Sequence, residues 1–179
     1  IRPSISNKLT FGFGLYILCV SLLAAYTDTT LKGSKAINER INVVYAPSIK
    51  SLEELDNQLI KAQQLMKQWA FVQRREDDLE RIEALSLCTQ KIPAQLSRID
   101  SISERWSNDQ KMERNLLSAE VQALLLAYND VRKLLPEFNS YTDQTAMMTA
   151  EDLFIDDGVI QKPLGKAQAR LRELIDQQR

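Results

Sequence analysis

Ser51–Trp69 reads SLEELDNQLIKAQQLMKQW, with apolar residues at Leu52, Leu55, Leu59, Ala62, Met66 and Trp69. Their spacing alternates between 3 and 4, which sets all six along one stripe of an α-helix. A period near 3.5 is the mark of helices that pack almost parallel, stripe against stripe. One such helix cannot bury its own stripe, so partners are needed.

The residues that follow supply them. Arg74–Asp78 is five consecutive charges, RREDD, and reads as a turn. A second stripe runs through Ile82, Leu85, Thr89, Ile92, Leu96, Ile99, Ser103 and Trp106, with Pro93 expected to bend it. Ser107-Asn108-Asp109 offers N-cap residues for a third helix. Its stripe is Leu117, Val121, Leu124, Tyr128, Val131, Leu135 and Phe138, interrupted by Pro136 before a turn at Asn139-Ser140. The fourth stripe is Leu153, Ile160, Leu164, Ala167, Leu171 and Leu174. Asp157 stands where an apolar residue is due, and Gly158 and Pro163 predict a break in that helix's first third. Four stripes joined by short turns predict an up-down-up-down bundle, and three sets of turn signals argue against one long coiled coil.

Composition agrees with an all-α fold. Five Gly and five Pro in 179 residues leave little room for a turn-rich β protein. A net charge of −1 argues against nucleic acid as a partner. Histidine is absent, which removes the usual general base and haem ligand, so neither catalysis nor a cofactor is expected. Cys19 and Cys88 lie in different settings and predict no disulfide.

On the other side of the opening stretch, Pro47 predicts a kink or a restart. Before it, a polar helical stretch from Asp28 reaches Tyr45. Earlier still, Leu9–Thr27 reads LTFGFGLYILCVSLLAAYT without one charge. As a helix it spans roughly 28 Å, close to the hydrocarbon thickness of a bilayer. A cleaved signal peptide is the alternative, but the run exceeds the usual apolar core of such peptides. Arg2 and Lys8 precede the run and predict a cytoplasmic N-terminus. The expected division is residues 1–8 cytoplasmic, 9–27 transmembrane and 28–179 an extracytoplasmic bundle. Helix alternation puts Arg74–Asp78 at the far tip. It also predicts a second apolar run within about 10–20 residues after Arg179, the returning helix having a stalk of similar length to cover.

With these residues in view, the chain resembles the four-helix-bundle sensor domain of bacterial transmembrane receptors, the chemoreceptor and sensor-kinase type. KLTFGFG at Lys8–Gly14, YAPSIKSLEEL at Tyr45–Leu55 and LMKQWAFVQ at Leu65–Gln73 carry the likeness. The resemblance implies a homodimer in the bacterial inner membrane, with the residues after 27 in the periplasm. It also implies a cytoplasmic output module outside these 179 residues, driven by a shift of the last helix, Leu171–Leu174. The family's ligand-holding arginines have no counterpart here.

Candidate ligand contacts are Arg74 and Arg75 at the tip, with Arg81 a turn further on, and the aromatic pair Trp69 and Trp106. The arginines could hold a carboxylate or phosphate, or be a solvated turn balanced by Glu76, Asp77 and Asp78. The tryptophans sit on stripes, where core packing is the expected role and an aromatic pocket the alternative. Glu151, Asp152, Asp156 and Asp157 lack the spacing of a calcium loop and read as a solvated helix start. Thr89 and Asp157, as polar stripe positions, could set register or loosen a moving helix. The rival to a sensor is a single-pass envelope scaffold whose bundle docks another protein.

Overall fold

A computed structural model describes residues 5–73, 75–155 and 158–179, without the side chains of residues 5–12, 36 and 40. Every regular element among the described residues is a helix, and there is no strand. The chain divides into two units, Ile1–Val43 and Val44–Arg179.

The first unit is built on α1, Ile5–Arg40. Phe13, Leu15, Tyr16, Ile17, Leu22 and Leu23 are all more than half exposed, so the apolar side chains described on this helix are largely uncovered. It opens the one helical run among the described residues that is long and apolar enough to cross a membrane. Its hydroxyls are satisfied locally: Ser21 donates to the Ile17 carbonyl and Thr27 to that of Leu23, each at 2.8 Å. Back-bonding of this kind lets a helix carry Ser and Thr where water is absent. An ion pair, Lys32 with Asp28 at 2.6 Å, lies just past the apolar run.

The second unit holds the core. A π-helical turn, Ile41–Tyr45, leads into α2, Ala46–Phe71, with Pro47 in the first turn of α2. The expected restart at Pro47 is thus a widened turn followed by helix. The ring has no N–H to offer and would crowd the carbonyl four residues back, which a wider turn relieves. All six residues of the opening stripe, Leu52 to Trp69, are at most 3% exposed.

After the turn come α3, Leu79–Ser86, a second π turn, Leu87–Lys91, and α4, Ile92–Ser103. Pro93 again falls in the first turn after the π segment, whose closing bond runs from the Ile92 N–H to the Leu87 carbonyl. This changes the second stripe. From Ile92 onward the reading holds, with Ile92, Ile99, Ser103 and Trp106 buried. Before it, Ile82 and Thr89 are exposed, and Arg81, Ala84, Leu87 and Cys88 are buried instead. A π turn takes up one extra residue, so a phase carried back through it is wrong by one. Thr89 is therefore no core position; its hydroxyl donates to the Leu85 carbonyl on the helix surface.

α5, Asn108–Leu134, begins with a capping box in which Ser107 Oγ accepts from the Gln110 N–H and Gln110 Oε1 from the Ser107 N–H. Its stripe is buried from Leu117 to Leu135, but Phe138 is 44% exposed. Pro136 stops α5, and a 3₁₀ turn, Phe138–Thr142, carries Phe138 off the helical phase. Two helices then share the last stripe, α6, Gln144–Asp152, and α7, Gln161–Gln178. The predicted break lies between them. A Cβ on Gly158 would sit 2.7 Å from the Ile155 carbonyl oxygen and 2.8 Å from that of Leu153, so only glycine fits this turn. Ile160, Leu164, Ala167, Leu171 and Leu174 are buried as read. Asp157 lies outside the described residues. In the packed unit α2 lies against α3, α4 and α7, and α5 against α7 and α6.

Candidate functional site

Three chain segments meet where α2 ends, α3 begins and α5 ends. Asp78 caps α3 by accepting from the Glu80 N–H at 3.0 Å, which fixes the first turn that carries Arg81. Arg81 is 3% exposed. Its guanidinium lies over the Trp69 ring, 4.1 Å from the centroid, and its Nη2 donates to the carbonyls of Leu135 at 3.1 Å and Pro136 at 2.8 Å. Trp69 Nε1 donates to the same Leu135 carbonyl at 3.0 Å. The carbonyls that close off α5, at its C-cap Leu135 and the following Pro136, are thus met by a buried cation, as the negative end of a helix favours. Tyr141 donates its hydroxyl to the Trp69 carbonyl at 2.6 Å, and Glu76 accepts from the Phe138 N–H. That bond, with Arg81 and Arg75 nearby, holds the Glu76 carboxyl below its ordinary range.

The arrangement leaves an open cleft of about 360 Å³ lined by Trp69, Glu76, Arg81, Asn129, Arg132 and Pro136. Lys133 also borders it, 2.9 Å from Asp130. Cations outnumber carboxylates on its wall, beside a flat aromatic–guanidinium stack. The wall thus offers positive charge beside an aromatic ring, with Glu76 as its one carboxylate among the described residues. A wider groove of about 800 Å³ runs over α2, α3 and α4 past Lys50, Glu54, Lys61, Glu83 and Lys91. There the charges are of both signs, and Lys61 pairs with Glu83 across it. Among the described residues no cluster of three His, Cys, Asp or Glu stands ready for a metal.

Of the residues singled out from sequence, Trp69 is in this cleft. Arg75 is not: its side chain is 77% exposed and lies 3.6 Å from Asp77. Arg74, Asp156 and Asp157 lie outside the described residues, while Glu151 is half-buried and Asp152 exposed. Trp106 is buried elsewhere, its Nε1 donating to Ser48 Oγ at 2.9 Å. Ser48 lies 21 positions before Trp69 on α2, roughly 32 Å along the helix, so the two indoles share no pocket. Sequence reasoning passed over the α5 residues Asn129 and Arg132 and underrated Arg81. The signal was present: Arg81 shares the true phase of Ala84, Cys88 and Ile92, a charge inside an apolar stripe.

The chain matches no protein-family model, no curated protein and no solved structure. Its functional reading rests on its own chemistry.

Proposed function

We propose that this chain is the membrane anchor and extracytoplasmic sensing module of a bacterial signal-transduction receptor. The observation that carries the reading is the contrast between the two units. One is a helix whose apolar side chains are left exposed and whose hydroxyls bond to its own carbonyls; the other packs a complete core of its own. Arg2 and Lys8, ahead of the apolar run, support a cytoplasmic N-terminus and a periplasmic packed unit. In this reading α2, α3 with α4, α5, and α6 with α7 are the four legs of an up-down-up-down bundle. The module has no enzymatic step. Its ligand enters at the Trp69–Arg81 cleft, and binding shifts the population of helix packings that α7 transmits to an output module. The cation-rich wall and the π turns, which already depart from regular α-helix, support that assignment.

Two measurements test it. A periplasm-active phosphatase fused after Arg179 should be active, and one fused before Ile1 inactive; the reverse pattern ends the orientation. The native reading frame past Arg179 should encode a second apolar span and an output module. A stop codon within a few residues would leave the scaffold reading instead. One observation favours that rival, an uncharged outward face on α5 with Leu126 67% exposed.

A further inference from the structure

Among the described residues of the packed unit, four arginines are withdrawn from solvent: Arg81, Arg114, Arg132 and Arg170. Three of them meet an acceptor. Arg81 donates to the Leu135 and Pro136 carbonyls, Arg114 lies 2.7 Å from Asp100, and Arg170 lies 2.6 Å from Glu113. Arg132 is half-buried and makes no hydrogen bond or ion pair with any described residue. A guanidinium in that position has given up part of its hydration, and no protein anion offsets the loss.

Asn129 stands one turn earlier on the same face of α5. It too is half-buried, and its side-chain amide is bonded to no described residue. Both side chains line the cleft of about 360 Å³, together with Arg81 and Leu85 of α3. The other polar groups of the wall are committed. Lys133 is held by Asp130, Glu76 by the Phe138 N–H, and Trp69 and Arg81 by the end of α5. What remains for an incoming molecule is the Arg132 fork and the Asn129 amide. A guanidinium supplies parallel N–H donors and an amide one more, a set that matches the oxygens of a carboxylate or a phosphate. Arg81, 3% exposed, adds a second positive charge that salt screens little.

We propose that Arg132 and Asn129 bind a small oxyanion, a carboxylate or phosphate group, in this cleft. The inference deepens the sensing assignment and rests on the cleft being the ligand's entrance. An oxyanion seated on Arg132 lies between α3 and α5, beside the contact through which Arg81 already joins them.

The test uses the full chain in detergent micelles with Trp106→Phe, which leaves Trp69 on the cleft wall as the sole indole. Sodium acetate and sodium phosphate are titrated at constant ionic strength against sodium chloride. At least one should change Trp69 fluorescence saturably and raise Tm, as a ligand of the folded state does, and the one that acts names the group recognised. Arg132→Gln should weaken that affinity by about tenfold or more, through loss of charged hydrogen bonds. Arg132→Lys should weaken it as well, because an ammonium lacks the fork. Arg98→Gln, in the wider groove, should leave it unchanged. Without added anion, Arg132→Gln should melt no lower than the parent, whereas Arg170→Gln, which breaks an ion pair, should melt lower. That contrast separates a binding group from a structural one.

No saturable response to either salt, a response that chloride reproduces, or an Arg132→Gln variant that binds like the parent would overturn the proposal. The phosphatase fusions and the reading frame past Arg179 report separately. A periplasmic bundle with an output module and a silent cleft would overturn this site and leave the receptor. Binding in a chain of reversed topology would support the site and end the receptor reading.

Discussion

Trp69 and Trp106 are buried almost equally, 3% and 5% exposed, and each indole N–H has an acceptor. Their surroundings share little else. Trp106 donates to Ser48 Oγ, whose hydroxyl in turn donates to the Val44 carbonyl at 2.6 Å. That is a neutral relay closed on the start of α2. Trp69 donates to a helix-end carbonyl that also accepts from Arg81, whose guanidinium covers the ring. The same residue type thus closes one end of the core with a hydroxyl and the other with a buried cation. A hydroxyl relay fixes geometry and presents no charge. A cation held against the carbonyls that follow another helix ties α2, α3 and the end of α5 together.

The largest expected effect comes from removing the ring under the cation. Trp69→Ala should destabilise the packed unit by about 3–5 kcal/mol, the usual cost of emptying a buried aromatic site, read by urea unfolding. Arg81→Met should cost about 2–3 kcal/mol, because two carbonyls lose a charged donor and the ring loses its cation. Arg81→Lys should rescue little of this, since an ammonium cannot stack flat and reach both carbonyls. At the other end, Ser48→Ala should cost about 1–2 kcal/mol by leaving the Trp106 N–H unpaired. If Ser48→Ala proves as costly as Arg81→Met, the two ends are equivalent and the cation is ordinary packing.

The sequence could be read to this depth because heptad spacing survives wherever the helix stays α. Leu52 through Trp69, Leu117 through Leu135 and Ile160 through Leu174 were all placed on the buried side by periodicity alone. The failures have one physical origin. Ile82 and Thr89 were misplaced because a π turn shifts the phase by a residue, and no local residue announces it except the proline that follows. Phe138 failed because Pro136 ends the helix that periodicity would continue. For the site, Trp69 was legible as a stripe aromatic. Arg81 was visible as a charge near the turn, but its burial was not, because the wrong phase set it beside the stripe. Arg132 and Asn129 join the cleft only through the tertiary meeting of α3 and α5, which no spacing along one helix encodes.

Acid should separate the two ends further. Glu76 has its carboxyl held low by the Phe138 N–H first, with smaller help from Arg81 and Arg75. A depressed folded value adds stability that is complete above the ordinary glutamate range and fades as pH falls through it. The Trp69 end should loosen on acidification, seen as a change in Trp69 fluorescence in a Trp106→Phe background. Trp69→Phe, which leaves Trp106 as the reporter, should show no such transition. Glu76→Gln should remove the pH dependence, and a transition that persists in that variant would assign it to another group.

The smallest effect should be at Cys88, on the π turn between α3 and α4, and it decides whether the ends can move separately. Burial pushes its thiol up to about 11, against a weaker pull down from Arg132, so it holds little thiolate at neutral pH. A maleimide should therefore label Cys88 at the rate at which its surroundings open. In Ser48→Ala that rate should follow the change in global stability, because the neutral end opens with the core. In Glu76→Gln at neutral pH it should stay near the parent rate while Trp69 fluorescence changes. The cleft end would then loosen as a local event of the kind a ligand could reverse. Labelling that rises in step with the Trp69 signal would mean the two ends form one cooperative unit. The buried cation would then be a device for stability, with no independent motion for a ligand to control.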